Sequence, residues 1–177
     1  MTTTPTLILL ACGALAQAAD WSAPVAVEHD DRPVASYRAK LAGDLLAVEV
    51  TLQPGWHTFS IDNERRAIEK LAGRKSLGID QPTDIKLKQG LEIAGPWYQT
   101  APKDFSKPEL RWYAWGFEGQ ALFAAKVRRL NAGNVKIGIR GQACTESVCK
   151  NVDLELVLPG QASAVSDIDL KSLVPVR

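Results

Sequence analysis

Charge of one sign, long apolar runs and metal-binding side chains are all scarce in this chain, and each scarcity removes a class of function. Lys plus Arg number 21 against 20 Asp plus Glu in 177 residues, with no run of either sign. Neither nucleic acid nor an anionic membrane surface is therefore indicated as a partner. No segment supplies the roughly 20 consecutive apolar residues that a membrane-spanning helix needs. The only histidines and the only methionine are His29, His57 and Met1, too few soft or imidazole ligands for a zinc or copper centre. No G-x-S-x-G turn is present to carry a hydrolase serine. With 46% hydrophobic residues, the chain still has enough apolar side chain for the core of one domain.

The first 19 residues place an apolar run, Leu7 to Leu15, ahead of Ala16-Gln17-Ala18. That is the pattern of a secretory signal peptide with an A-x-A cleavage site, although no Lys or Arg precedes the run. Leu9-Leu10-Ala11-Cys12 supports a rival reading as a lipobox, which would make Cys12 a lipid anchor. On either reading the domain is expected to be exported, periplasmic or secreted. Cys144 and Cys149 would then work where disulfides form and persist.

From Asp20 onward, short runs alternate polar and apolar residues with the two-residue period of half-buried strands. They cover 35–41, 45–52, 56–61, 85–87, 111–115, 121–129, 135–141 and 152–158, separated by turn signals such as Ala42-Gly43-Asp44 and Gln53-Pro54-Gly55. This predicts an all-β antiparallel sandwich over 20–160. One helical insertion is expected at 64–72, with Ala67, Ile68, Leu71 and Ala72 on one face, Asp62 or Asn63 at its start and Gly73 at its end. Residues 161–177 read as a tail that either docks through Ile168, Leu170 and Leu173 or stays mobile.

Cys144 and Cys149 flank Thr145-Glu146-Ser147-Val148, a four-residue tip between two alternating runs. The arrangement predicts a hairpin with the cysteines facing each other at the base of its loop. Two readings of the pair stay open. Closing a ring of about six residues stabilises by only about 2 kcal/mol, so the bond would be a weak staple. A reactive pair would need a thiolate; Lys150 favours one, Glu146 opposes it, and no helix N-terminus is at hand to help.

The stretch Gln53-Pro54-Gly55-Trp56-His57-Thr58-Phe59 resembles a strand of the N-terminal periplasmic domain of the thiol:disulfide interchange protein DsbD. The segments GIDQPT (78–83), QGLEIAGPW (89–97), PKDF (102–105) and WGFEG (115–119) follow in the same order, and then the two-cysteine hairpin. The resemblance covers roughly residues 35–160. It departs in having one residue fewer between the cysteines and in carrying Lys150-Asn151 where a proline-containing segment is expected.

The resemblance implies an immunoglobulin-like sandwich that passes electrons between exported thiol-disulfide proteins and needs no cofactor. Cys149 would form the mixed disulfide and Cys144 would resolve it. Phe105 would cap the pair, and aromatics on the Trp56 to Phe59 strand, with His57 and Phe59 as the matches, would pack beside it. A thioredoxin-like protein or a membrane electron donor would act in trans. The alternative is a non-enzymatic binding module with a structural hairpin disulfide, presenting Trp97, Tyr98, Trp112, Tyr113 and Trp115 as a contact surface if they are exposed.

Overall fold

Residues 21–75, 78–160 and 168–177 are described by a computed structural model. The signal-peptide and Cys12 readings fall outside these residues, as does 161–167 of the expected tail. The strands pair, all antiparallel, into two sheets. The first runs in the order β1 (Val25–His29), β2 (Arg32–Ala42), β3 (Leu45–Leu52), β9 (Gln120–Arg129), β6 (Leu91–Gln99) and β12 (Val174–Pro175). The second runs β11 (Cys149–Leu158), β10 (Val135–Cys144), β4 (His57–Phe59), β8 (Trp115–Glu118) and β7 (Lys103–Asp104), with β5 (Asp84–Gln89) also on β10. This is the expected immunoglobulin-like β-sandwich, and among the described residues α1 (Asn63–Leu71) is its one α-helix.

Alternation puts Val48, Val50, Phe123, Ile137, Ile139 and Leu156 between the sheets, each almost fully buried. Tyr37 spans the core to hydrogen-bond Thr58, and burial pushes its phenol up to about 12 despite that bond. A second, smaller apolar cluster lies apart from this core: Phe59, Ala114 and Cys144, with Phe105 and Trp112 packed against them.

β10 is the strand that positions the cysteines. One edge pairs with β11 from Val135↔Leu158 to Cys144↔Cys149. The other edge pairs first with β5 and then, at Ala143 and Cys144, with β4. Side chains stitch the handover. Thr58 Oγ1 donates to the Gln142 carbonyl at 2.8 Å, Thr83 Oγ1 donates to the Phe59 carbonyl at 2.6 Å, and the Gln81 amide donates to Gln142 Oε1 at 3.2 Å.

Some expectations need correction. The strand expected at 111–115 lies at Trp115–Glu118, because Pro108–Leu110 forms a 3-10 turn closed by Arg111 in the left-handed region, φ 52°. Ile68 is not on the buried face of α1 but 54% exposed, whereas Asn63, Ala67 and Leu71 are buried. The helix ends on two left-handed residues, the cap Ala72 at φ 49° and the expected Gly73 at φ 82°. The last residues of the expected tail dock: Val174 and Pro175 pair with Gln99 and Tyr98.

Asp62, at the head of α1, ties these parts together. Its buried carboxylate accepts from Gln99 Nε2 at 2.8 Å and from the Arg177 amide at 3.1 Å, and pairs with Arg66 at 2.9 Å. Burial alone would raise this carboxyl, and those partners outweigh it, bringing it down to about 2. The gap from the ordinary 3.8 corresponds to about 2 kcal/mol of stability. Because the folded value lies below the unfolded one, that contribution is complete above 3.8 and is lost as pH falls toward 2. Chemical denaturation of Asp62→Asn across this range should show a flatter acid limb than the parent chain. An equally steep limb would mean that other groups dominate.

Gly116 is required by close approach: a Cβ there would lie 2.0 Å from the Thr58 carbonyl oxygen. Gly116→Ala must therefore push β8 off β4. We expect a destabilisation at the top of the roughly 1–3 kcal/mol range for overpacking, read as a lowered denaturation midpoint. A loss under about 0.5 kcal/mol would contradict the tight β4–β8 contact.

Candidate functional site

The hairpin forms with its tip at residues 145–148, where the Thr145 amide donates to the Val148 carbonyl at 2.7 Å. Thr145 Oγ1 accepts from the amides of Ser147 and Val148 and so braces the tip. Cys144 and Cys149 close the ladder as its last rung and are joined by a disulfide, with Cα atoms 4.0 Å apart. The two sulfurs differ in setting. Cys144 is 2% exposed within the small apolar cluster, whereas Cys149 is exposed at the start of β11.

Beside the disulfide lies a cleft of about 660 Å³ whose walls include His57, Phe59, Asp80, Phe105, Lys107, Trp112 and Glu118. The residues singled out in the sequence, Cys144, Cys149, His57, Phe59 and Phe105, all line it. Phe105 reaches it from an arm that is itself a narrow hairpin: β7 pairs with β8, the Phe105 amide donates to the Ala114 carbonyl at 2.9 Å, and Lys107 bridges Trp112. The arm thus lays Phe105 over the His57 ring, centroid to centroid 5.0 Å, and Phe59 meets that ring edge-on at 5.3 Å. Exposed Leu110 on the arm and Val148 on the cysteine hairpin form an apolar rim.

Trp56 is the exception on its strand. It packs on the main core and against His29, 5.5 Å away, rather than near the cysteines. Trp115 is buried, and Trp97, Tyr98, Trp112 and Tyr113 are each partly buried. They do not form an exposed aromatic face.

Sequence reading missed Asp80, Lys107, Glu118 and the part Trp112 takes in the cleft. Asp80 stands in a loop without periodicity, so only the folded chain brings it to the cleft. Its carbonyl accepts from Asn63 Nδ2 at 2.9 Å, which fixes the loop to α1, and its carboxylate takes a hydrogen bond from Trp112. The other carboxylate oxygen, Oδ2, is buried with no hydrogen-bond partner.

Burial raises the Asp80 carboxyl, against the opposing pull of Trp112 and His57. Burial likewise pushes the His57 imidazole below 6.5; Asp80 and Glu118 act to raise it, and Lys107 adds to the lowering. The desolvated wall of the cleft therefore holds a neutral imidazole at neutral pH.

Among the described residues no group of three or more His, Cys, Asp or Glu is gathered as a metal centre would need, and no helix is long and apolar enough to cross a membrane.

Fold and site together define an immunoglobulin-like sandwich that carries a disulfide hairpin beneath an aromatic arm. Among solved structures, the chain is similar to the N-terminal periplasmic domain of ScsB from Proteus mirabilis, with TM-score 0.60 and 18% identity. The match covers 86% of this chain but 56% of that one, so the chain spans little more than half its length. It is also similar to the Neisseria meningitidis DsbD N-terminal domain in the reduced form, with TM-score 0.43 and 15% identity over 75% of this chain and 93% of that one. No protein-family model and no curated protein matches the chain. At 18% identity the likeness to the ScsB domain is one of fold.

The electrostatics of the cleft can be checked by proton NMR. The His57 imidazole should titrate below 6.5. Asp80→Asn removes a charge that raises it and should lower the midpoint further, whereas Lys107→Met should raise it. A midpoint at or above 6.5, or shifts of the opposite sign, would contradict this account.

Proposed function

We propose that this chain is an exported thiol-disulfide exchange domain in which Cys149 forms the mixed disulfide and Cys144 resolves it. One observation carries the reading: the two bonded sulfurs are unequal, Cys149 exposed at an apolar-rimmed cleft and Cys144 buried beneath it. In the reduced domain the Cys149 thiolate attacks a partner disulfide. A Cys149–partner bond forms, and one partner sulfur leaves as thiolate. The Cys144 sulfur then attacks Cys149; the partner's second sulfur leaves with the bonding pair, and the Cys144–Cys149 bond re-forms. The partner has gained two electrons and the domain has lost them. The reverse sequence reduces the domain.

Phe105 serves in this scheme as a cap that a docking partner displaces, since it lies over the cleft on an arm outside the main core. The partner is a thioredoxin-like protein or a membrane electron donor acting in trans, and no cofactor takes part. Export is supported by the leader-like first 19 residues and by the periplasmic origin of the similar ScsB domain. A binding module resting on an aromatic surface has less support, because the candidate aromatics are partly or fully buried.

The test is the reduction potential of the pair, equilibrated in glutathione buffers and read as alkylated thiols by mass. A potential above about −250 mV is expected; one below about −300 mV would mark a purely structural bond. Roles follow from trapping with glutathione disulfide. Cys144→Ser should accumulate a stable adduct on Cys149, and Cys149→Ser should give little adduct on the buried Cys144. Equal trapping by both variants would refute the assignment.

A further inference from the structure

Exchange between two sulfurs leaves part of the cleft without a task. Cys144 must give up its proton before it can attack, yet it sits 2% exposed among Phe59, Ala114, Phe105 and Trp112. Apolar burial raises a thiol, so an unassisted Cys144 would resolve slowly at neutral pH. A base has to stand close to it.

His57 stands directly across from Cys144 in the β4–β10 ladder. Residues so opposed carry their Cβ atoms on the same face of the sheet, about 4.5–5.5 Å apart. The ring is held from two sides by Phe59 and Phe105. Asp80 acts on it more strongly than any other carboxylate and keeps one oxygen buried and unpartnered in the same cleft wall. The Asp80 loop is fixed through Asn63 and through the Gln81–Gln142 bond.

We propose that His57 is the proton acceptor for Cys144 in the resolving step and that Asp80 is its positioning residue. This rests on the exchange reading above. The neutral imidazole takes the Cys144 thiol proton as the Cys144 sulfur attacks Cys149. The Cys149–partner bond breaks, and its electron pair leaves with the partner sulfur as thiolate. The imidazolium, balanced by the Asp80 carboxylate, then returns its proton to solvent. In the opposite direction, the imidazolium protonates Cys144 as the disulfide opens. Other charges facing His57 are Glu118 from β8, itself paired with Lys103 at 2.8 Å, and Lys107 from the capping arm. Glu146 from the hairpin tip lines the same cleft.

The reduced domain mixed with dithiobis(nitrobenzoate) separates the steps. Attack by Cys149 releases the first thionitrobenzoate, and resolution by Cys144 releases the second. In the parent chain the second phase should rise through an inflection below 6.5. In His57→Phe, which keeps an aromatic ring beneath Phe105, that inflection should move to the thiol range, about 8.5 or higher, and the second phase at pH 7 should slow by roughly thirtyfold. The first phase should be unchanged. Asp80→Asn should shift the inflection to lower pH and slow the second phase. Two phases with an unaltered second-phase profile in His57→Phe would overturn the proposal and leave the exchange reading standing. A parent chain that never releases the second thionitrobenzoate would overturn both.

Discussion

β10 is an interior strand up to its final residue, and the rest of the site depends on that. A cysteine at the end of an edge strand would have one neighbour and considerable freedom. Cys144 instead has Cys149 on one side and His57 on the other, each fixed by backbone pairing. Two neighbouring strands can share this edge because β5 yields to β4 after Arg140, and buried hydroxyls from Thr58 and Thr83 satisfy the carbonyls that the change of partner would otherwise strand. Gly141 sits at this junction, where a side chain would press on Pro82 and Thr83.

This arrangement separates the disulfide from the stability of the fold. The β10–β11 ladder runs nine residue pairs before it reaches the bond as its tenth. Ring closure across six residues contributes about 2 kcal/mol at most when the chain is otherwise free, and here the ladder has already ordered the ring. Opening the bond therefore leaves the sandwich in place. The same separation holds for the arm that carries Phe105: Phe105 and Trp112 pack on Phe59, Ala114 and Cys144, not on the core between the sheets. Movement of the arm disturbs a small satellite cluster, the kind of unit that opens at low free-energy cost.

What the sequence made legible follows the range of the interactions involved. Alternation marked β9, β10 and β11 because each keeps one face apolar along an unbroken run, β3 was marked by an apolar run buried on both faces from Leu45 to Val48, and the cysteine hairpin followed from a four-residue tip between two alternating runs. β6 escaped because Gly95-Pro96 interrupts it, and a register shift between Ile93 and Trp97 absorbs the break. β12 is two residues long and exists only through its pairing with β6. At the site, the cysteines, His57, Phe59 and Phe105 were named from motif order, whereas Asp80 was not. A loop aspartate carries no periodic signal, and its place in the cleft that His57 also lines depends on contacts with α1 and with β10.

The cleft combines two demands that oppose one another. Aromatic walls exclude water and would shield the buried sulfur from adventitious thiols, but the same exclusion penalises the thiolate that the proposed exchange requires. Moving Cys144 toward solvent would relieve the penalty and forfeit the protection. A charged base beside it would fare no better, since burial disfavours an imidazolium as well. A neutral imidazole with a carboxylate behind it meets both conditions. On the proposed mechanism it carries no charge before the resolving step, and when it takes the thiol proton the new positive charge is offset by Asp80 in the same cleft wall. In that mechanism the partly desolvated Asp80 serves for the charge it balances during the reaction rather than for what it adds to the resting fold, where its Oδ2 is one of three buried side-chain atoms without a hydrogen-bond partner among the described residues.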